Sequence, residues 1–214
     1  GTFQTADDVK YDVTNQLTNS GYIVSLANMN LFADSLVNQN NNEVNNGIAS
    51  IDGNINITVN SLTNDNGRIA SGNDLTVISS IISNSNSSLT AQNNLSLTSD
   101  TISNSNGQII AASDASIITN RSDYSHQGSL EANRIFLTVG NFSNSGNINS
   151  TTLTSIDALG DYTNTEASSN ITSEGLLNFV IAGIFTNDYE LKSGSIAIDA
   201  TSINNNSSIL ATDS

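Results

Sequence analysis

The chain has 214 residues, of which 35 are Asn, 34 Ser and 21 Thr, and its formal net charge is −15. It has no Cys and only 5 Lys and Arg residues, which excludes disulfides and thiolate metal sites and disfavours nucleic acid and anionic membranes as partners. No apolar run approaches the roughly 20 residues of a membrane-spanning helix, so we expect no membrane insertion. Residues 1–4 contain no Met, basic patch or apolar segment. We therefore expect no signal peptide and interpret the chain as a piece of a longer protein.

One tripeptide recurs along the chain, consisting of a bulky apolar residue, usually a small polar residue, and then Asn. Its copies begin at Leu17, Leu36, Leu62, Ile82, Ile102, Tyr124, Phe142, Tyr162, Phe185 and Ile203. Successive copies start 18 to 26 residues apart. Disorder gives no reason for such a period, so the Asn, Ser and Thr residues belong to a folded repeat.

Most copies are followed by a Gly or Ser, then an apolar residue, a polar stretch and an alternating strand. The alternating segments include Ile55–Val59, Leu75–Val77, Leu95–Leu97, Ile135–Val139 and Ile196–Ile198. Alternation with β-branched residues predicts half-buried strands, with Thr, Ser and Asn facing water. The Asn, Gly and Ser clusters between the strands predict turns with left-handed backbone.

A unit of about 20 residues with three short strands cannot bury its apolar face alone, but stacked units can. The repeat therefore predicts an all-β fold, a right-handed parallel β-helix (solenoid) of about ten coils with roughly 20 residues per coil. Residues 1–214 form one β-helix segment in this interpretation, with a partial or irregular coil at 1–16. The units 36–61, 102–123 and 162–184 are expected to be irregular because they are longer.

The Asn that closes each tripeptide is expected to stack on its equivalents as a ladder of side-chain amides. The predicted ladder residues are Asn19, Asn38, Asn64, Asn84, Asn104, Asn144, Asn164, Asn187 and Asn205.

The segment from Leu62 to Val77 resembles the roughly 20-residue adhesin repeat of filamentous haemagglutinin-type exoproteins. The coils that begin at Ile82, Ile102 and Phe142 are similar to it as well, and the resemblance covers about residues 17–214. That group includes adhesins, haemolysins and the stalks of contact-dependent growth-inhibition toxins. The resemblance implies a secreted or cell-surface location in bacteria, and export through an outer-membrane two-partner-secretion transporter. The family's amino-terminal secretion domain and a toxin domain are not visible in this sequence.

Candidate binding residues lie in an insertion and in two unusual coils. The insertion 39–46 is longer than the repeat needs, and loops that project from a rigid scaffold often bind partners, although neutral drift explains it equally well. Its candidates are Gln39, Asn40, Asn41, Asn42, Glu43 and Asn45. The other candidates are Tyr124 and His126, which start an atypical copy, and Phe179, which lies in the most apolar stretch, 176–184. The alternatives are that His126 continues the amide ladder and that 176–184 is one buried strand.

A catalytic role has weaker support. His126 is the only His, and without Cys it makes a poor metal site, so we expect no metal and no cofactor. Asp52, Asp74 and Asp114 occupy comparable turns and are expected to line one edge, as solvated residues or around a cation. The sequence therefore predicts no enzyme but a structural or adhesive filament segment that extends binding or toxin modules towards a target cell. The alternatives are a segment that binds a receptor or glycan through inserted loops and, with less support, a polysaccharide-degrading β-helix enzyme.

Overall fold

The computed structural model describes residues 1–39, 47–164 and 169–212. These residues are all β, and their parallel strands wind into a solenoid of about ten coils with repeats roughly 20 residues apart. The prediction of an all-β parallel β-helix is therefore confirmed. The described residues contain no helix of the length and apolar character that crossing a membrane requires.

The strands fall at the predicted intervals. In chain order they are β1 (Thr2–Thr5), β2 (Val9–Asn19), β3 (Tyr22–Ser25), β4 (Met29–Gln39), β5 (Gly47–Ser50), β6 (Ile55–Asp65), β7 (Arg68–Ser71), β8 (Leu75–Ile78), β9 (Ile81–Ser85) and β10 (Ser88–Ala91). They continue with β11 (Leu95–Thr98), β12 (Thr101–Ala111), β13 (Asp114–Ile118), β14 (Tyr124–Val139), β15 (Phe142–Asn144), β16 (Asn147–Ala158), β17 (Tyr162–Asn164), β18 (Asn170–Asn187), β19 (Leu191–Asn205) and β20 (Ile209–Ala211).

Each coil contributes three stretches of strand, and these stack into three parallel faces. The first face begins with β1 and continues through β3, β5, β7 and β10. The second face begins with the first half of β2 and continues through β4, β6, β8 and β11. The third face begins with the second half of β2 and continues through β4, β6, β9 and β12. The longer strands β14, β16, β18 and β19 pass around corners and contribute to more than one face.

The core consists of columns of inward apolar side chains. On the second face, Ile55 stands above Met29 and below Leu75, and all three are fully buried. Because the register is strict, each inward apolar residue packs on an apolar residue of the next coil. Complete burial of such a side chain stabilises the fold by roughly 1.5–3 kcal/mol. Because every coil shares its columns with its neighbours, no coil has a separate core.

The Asn that closes the tripeptide points into the core, which corrects the expectation that strand Asn residues face water. Asn38, Asn64 and Asn187 are completely buried. In each link the amide Nδ2 donates to the Oδ1 of the next coil. The links are Asn19 to Asn38 at 2.8 Å, Asn38 to Asn64 at 2.7 Å, Asn64 to Asn84 at 2.8 Å, Asn84 to Asn104 at 2.7 Å, Asn144 to Asn164 at 3.4 Å, Asn164 to Asn187 at 3.0 Å and Asn187 to Asn205 at 2.9 Å. Such pairing removes the cost of burying the amides, because each one finds a partner in the core.

The turn after the ladder residue has left-handed backbone, as predicted. Asn66, Asn86 and Asn106 occupy equivalent positions with φ of 50°, 48° and 53°, a conformation that Asn tolerates better than most residues. Gly67 follows the first of them, and a Cβ there would lie 2.6 Å from the ladder amides of Asn38 and Asn64. The glycine therefore leaves the space through which the ladder passes.

The structure describes parts of the segments that the sequence marks as irregular. Residues 1–16 carry β1 and most of β2, which pair in parallel with β3 and β4, so they belong to a coil with an irregularity between Val13 and Gln16. The unit 102–123 carries its extra length at a corner, where Asn120 and Arg121 have positive φ. Residues 40–46 and 165–168, within the other two long units, lie outside the described residues.

We expect the substitution Asn84→Ala to lower the free energy of unfolding by about 2–4 kcal/mol, because one N–H of the buried Asn64 amide and the buried Oδ1 of Asn104 both lose their ladder hydrogen bond. The matched control is Asn86→Gly, two residues away, which removes an exposed side chain at a positive φ and should change stability by less than about 0.5 kcal/mol. Urea denaturation of the two variants measures the difference. Equal effects would show that the ladder does not stabilise the fold.

Candidate functional site

The predicted binding residues that the structure describes do not form one surface. Tyr124, His126 and Phe179 are at most 1% exposed, so the prediction that they bind a partner directly is wrong. The reason is their position in the repeat: all three are inward residues of their coils. Gln39 is exposed at the end of β4. The remaining candidates, Asn40, Asn41, Asn42, Glu43 and Asn45, lie outside the described residues.

His126 replaces one rung of the amide ladder. Its Nδ1 lies 2.9 Å from the Tyr124 hydroxyl, and its Nε2 lies 3.2 Å from the carbonyl oxygen of Asn147. A neutral ring with the proton on Nε2 satisfies both contacts, since it accepts from Tyr124 and donates to Asn147. Burial lowers the pKa of His126 to about 4, because a cation in the core would lose its hydration. His126 is therefore a neutral structural residue at physiological pH.

Aromatic rings fill the core above this rung. Tyr124, Phe142, Tyr162 and Phe185 occupy successive positions of one column, with ring centroids 4.8–5.8 Å apart. Phe179 packs against Tyr162 from the second face at 5.1 Å. The Tyr162 hydroxyl is buried without a hydrogen-bond partner, and its burial raises the pKa of the phenol. In this column, aromatic rings pack the coils from Tyr124 to Phe185, whereas the coils that precede Tyr124 have Leu and Ile at the same position.

The acidic turn residues also differ from the prediction. Asp74 and Asp114 do share one row, but Asn94 stands between them, and Asn54 rather than Asp52 occupies the row below Asp74. The Oδ1 of Asp74 accepts the backbone N–H of Asn94 at 3.0 Å. Because Asp and Asn alternate, the like charges of Asp74 and Asp114 lie two coils apart. The hydrogen bond from Asn94 to Asp74 links neighbouring coils at this corner.

This row ends in an ion pair. Asp114 accepts two hydrogen bonds from the guanidinium of Arg134, at 2.8 and 2.6 Å, and the pair raises the pKa of Arg134. Within the described ranges, no three His, Cys, Asp or Glu side chains gather into a group that could hold a metal ion.

An open groove of about 830 Å³ lies at the edge of the first face. We call it the axial groove, because it runs along the stack from Ile110 to Thr212. One wall is a row of outward residues in direct register: Glu131, Asn149, Thr172 and Lys192. The opposite wall carries Asn133, Thr151 and Glu174.

Small inward residues create the floor of the axial groove. Ala111, Ala132, Ser150, Ser173 and Ser193 turn the corner between the first and second faces. Ser150 donates to the Ser173 hydroxyl at 2.9 Å and accepts from Thr154 at 2.8 Å, so the floor is held by hydroxyl contacts from below.

The groove walls present carboxylate, amide, hydroxyl and ammonium groups, one coil apart. Thr172 donates to the Oδ1 of Asn149 at 2.6 Å, which aligns these two neighbouring rungs. Strands in a sheet are separated by about 4.8 Å, so the walls offer polar groups at that interval. A surface of this kind suits an extended polar polymer better than a compact ligand, because one contact can repeat along the stack.

The position of the groove can be recognised in the sequence once the coils are aligned in register. Each wall residue of the first row directly follows a buried apolar residue, as Glu131 follows Leu130 and Lys192 follows Leu191. The same position in earlier coils holds Val24, Ala49 and Ala70, which are buried. A change from apolar to polar residues along this row marks where the groove lies.

Comparison with protein families, with curated proteins and with solved structures gives no match for this chain.

The buried His126 makes the fold sensitive to acid. Its pKa is about 4 in the fold against 6.5 for an exposed His, so the unfolded chain takes up the proton first and stability falls as the pH drops through this range. We expect a loss of about 2 kcal/mol between pH 7.5 and pH 5 from this residue. The control combines Tyr124→Phe with His126→Asn, which reproduces the Phe142 and Asn144 pair of the next coil. Urea denaturation at both pH values should give a smaller loss for the control, and equal losses would contradict the assignment.

Proposed function

We propose that the chain is a structural and adhesive segment of a secreted bacterial surface filament of the filamentous haemagglutinin type. Its role is to extend binding or toxin modules towards a target cell. The observation that supports this most is the continuous stack in which every described coil buries its core against its neighbours. About ten coils at a spacing of about 4.8 Å give a rise of about 45 Å, so length is the property that this fold supplies.

Composition supports the same proposal. The net charge of −15 slows lateral association of filaments by repulsion. A chain without Cys can pass an outer-membrane two-partner-secretion transporter unfolded, with no disulfide to obstruct it, and it then folds at the cell surface. The proposal gives the segment no catalytic role.

The test is to remove coils from the chain while it is displayed between a two-partner-secretion domain and a surface epitope. Deletion of residues 75–94 joins equivalent positions, since Leu75 pairs with Leu95. We expect this variant to display the epitope and to place it about one coil, or about 5 Å, closer to the cell. Deletion of residues 75–84 breaks the register and should abolish the folded stalk. Equal display of a protease-resistant stalk by both variants would contradict a role that depends on coil stacking.

The axial groove favours a second candidate function, the binding of a linear glycan on the target cell. Its walls place Glu131, Asn149, Thr172 and Lys192 on successive coils, and a sugar chain has hydroxyl groups that repeat along its length. Hydroxyls both donate and accept, so the mixture of carboxylate, amide and ammonium groups can be satisfied by one polymer.

Glycan binding would depend on the groove rather than on Asn and Thr in general. We expect the double variant Asn149→Leu with Thr172→Val to weaken binding to an array of linear oligosaccharides by at least roughly tenfold. Asn56→Leu with Thr76→Val is the matched control, because these residues are also neighbours in register but lie on the second face. Binding that both variants lose equally, or that neither loses, would exclude the groove. Release of reducing ends would indicate a polysaccharide-degrading enzyme instead.

A further inference from the structure

The axial groove carries charged side chains on both of its walls. Glu131 lies on the wall that is formed by the row in register, and Lys192 lies on the same wall three coils further along the stack. Glu174 lies on the opposite wall, and all three side chains are exposed. None of them takes part in the ion pairs that the described residues form, so these charges remain available to a ligand.

The two carboxylates of the groove have unused hydrogen-bonding capacity. Ser129 donates to the Oε1 of Glu131 at 2.8 Å, which orients this carboxylate and leaves its second oxygen for a ligand. Within the described ranges, Glu174 accepts no hydrogen bond from the protein. Hydrogen bonds between a carboxylate and a cationic donor are roughly twice as strong as neutral ones. A protonated amine is the sugar substituent that can make such bonds.

Neutral groups lie next to these carboxylates along the groove. Thr172 donates to the Oδ1 of Asn149 at 2.6 Å, so the Asn149 amide nitrogen and the lone pairs of Thr172 remain for a ligand. Sugar hydroxyls both donate and accept, and they suit these groups. Glu131 and Glu174 lie two coils, or about 10 Å, apart along the stack. The groove therefore combines positions that bind hydroxyls with two anionic positions.

The charge of the whole chain favours the same kind of ligand. The formal net charge is −15, and the carboxylates of Glu131 and Glu174 outnumber the ammonium group of Lys192 in the groove. A glycan that carries carboxylates or sulfates is therefore repelled as it approaches, whereas a glycan that carries protonated amines is attracted. Lys192 opposes an ammonium group on its own coil, which places the favourable region at the coils of Glu131 and Glu174.

We propose that the axial groove selects linear glycans that carry free amino groups, with Glu131 and Glu174 binding ammonium groups of one sugar chain. The inference rests on the proposed binding of a linear glycan in this groove, and it names the class of glycan. Asn149 and Thr172 bind the hydroxyls that all sugar chains share, whereas the two carboxylates provide the selectivity. N-acetylation of the ligand removes the charge on which this selectivity depends.

Calorimetric titration of the chain with a matched pair of ligands provides the first test. The probes are a chitosan oligosaccharide, which carries a free amine on each sugar, and the same oligosaccharide after N-acetylation. The titration is done at about pH 6, where sugar amines are protonated and ordinary carboxylates are ionised. We expect the free-amine form to bind at least roughly tenfold more tightly than the N-acetylated form. An oligogalacturonate, which carries carboxylates instead of amines, should bind more weakly than both.

Variants of the two carboxylates separate the groove from the charge of the whole chain. Glu131→Gln with Glu174→Gln should weaken binding of the chitosan oligosaccharide at least roughly tenfold. The matched control is Asp65→Asn with Asp100→Asn, which removes the same charge from two exposed residues outside the groove. At about 0.15 M salt the control should weaken binding by less than about twofold, because charges that are far from the ligand are screened.

The single variant Lys192→Met tests the sign of the charge effect. It removes the ammonium group that opposes the ligand, so we expect the chitosan oligosaccharide to bind roughly threefold more tightly. Arg68→Met is the matched control, because Arg68 is an exposed cation of the first face that does not line the groove. This control should change binding by less than about twofold.

The results distinguish selectivity for amines from glycan binding itself. Equal affinity for the free-amine and N-acetylated forms would overturn the selectivity and leave glycan binding intact. A carboxylate variant that loses no more affinity than its control would do the same, because the amines would then respond only to the charge of the whole chain. If neither form binds, glycan binding in the groove is wrong, and the selectivity is wrong with it. Circular dichroism and thermal melting establish that each variant is folded.

Discussion

A buried amide destabilises a protein unless both its oxygen and its nitrogen find partners, and this chain buries one in nearly every coil. Asn64 satisfies the condition by accepting from Asn38 and donating to Asn84. The arrangement works only when the coils are in register, because a shift of one residue would turn the amides outwards and place a hydroxyl or an apolar group opposite each of them. The ladder therefore selects the register that also aligns the apolar columns, and the same register brings together the walls of the axial groove.

Two variations among the described coils leave the ladder and the apolar columns in register. The extra residues of the unit 102–123 are accommodated at a corner, where Arg121 has a φ of 76°. At His126 the rung itself changes, yet the ring keeps two hydrogen bonds, one to Tyr124 and one to Asn147. Outward side chains belong neither to the amide ladder nor to the apolar columns. A row of outward residues can therefore change from Val24 in an early coil to Lys192 in a late one. Function on such a scaffold is determined by the outward rows and the corners.

The fold could be predicted from the sequence because the tripeptide that contains Leu62 and Asn64 marks one point of every coil. The period gives the coil length, and the alternation in segments such as Ile55–Val59 gives the strands. The period alone does not say which side of a strand faces inwards. Phe179 follows the alternation into the core, but an apolar stretch by itself does not say which of its residues are exposed. The placement of Asp52 outside the row of Asp74 depends on the length of one turn, which the period does not fix. The groove depends on the small side chains of Ala132 and Ser150, and their effect emerges only when coils are stacked.

The orientation of the hydrogen bonds has a mechanical consequence. Strands run across the stack, so the backbone hydrogen bonds and the amide ladder both point along its axis. A pull on the two ends of the chain therefore loads the outermost coils first and peels their strands away one bond at a time, while the interior remains intact. Each coil that unwinds releases about 20 residues, or at most about 70 Å of extended chain. A segment built in this way yields to tension in small steps and lengthens instead of breaking as a unit.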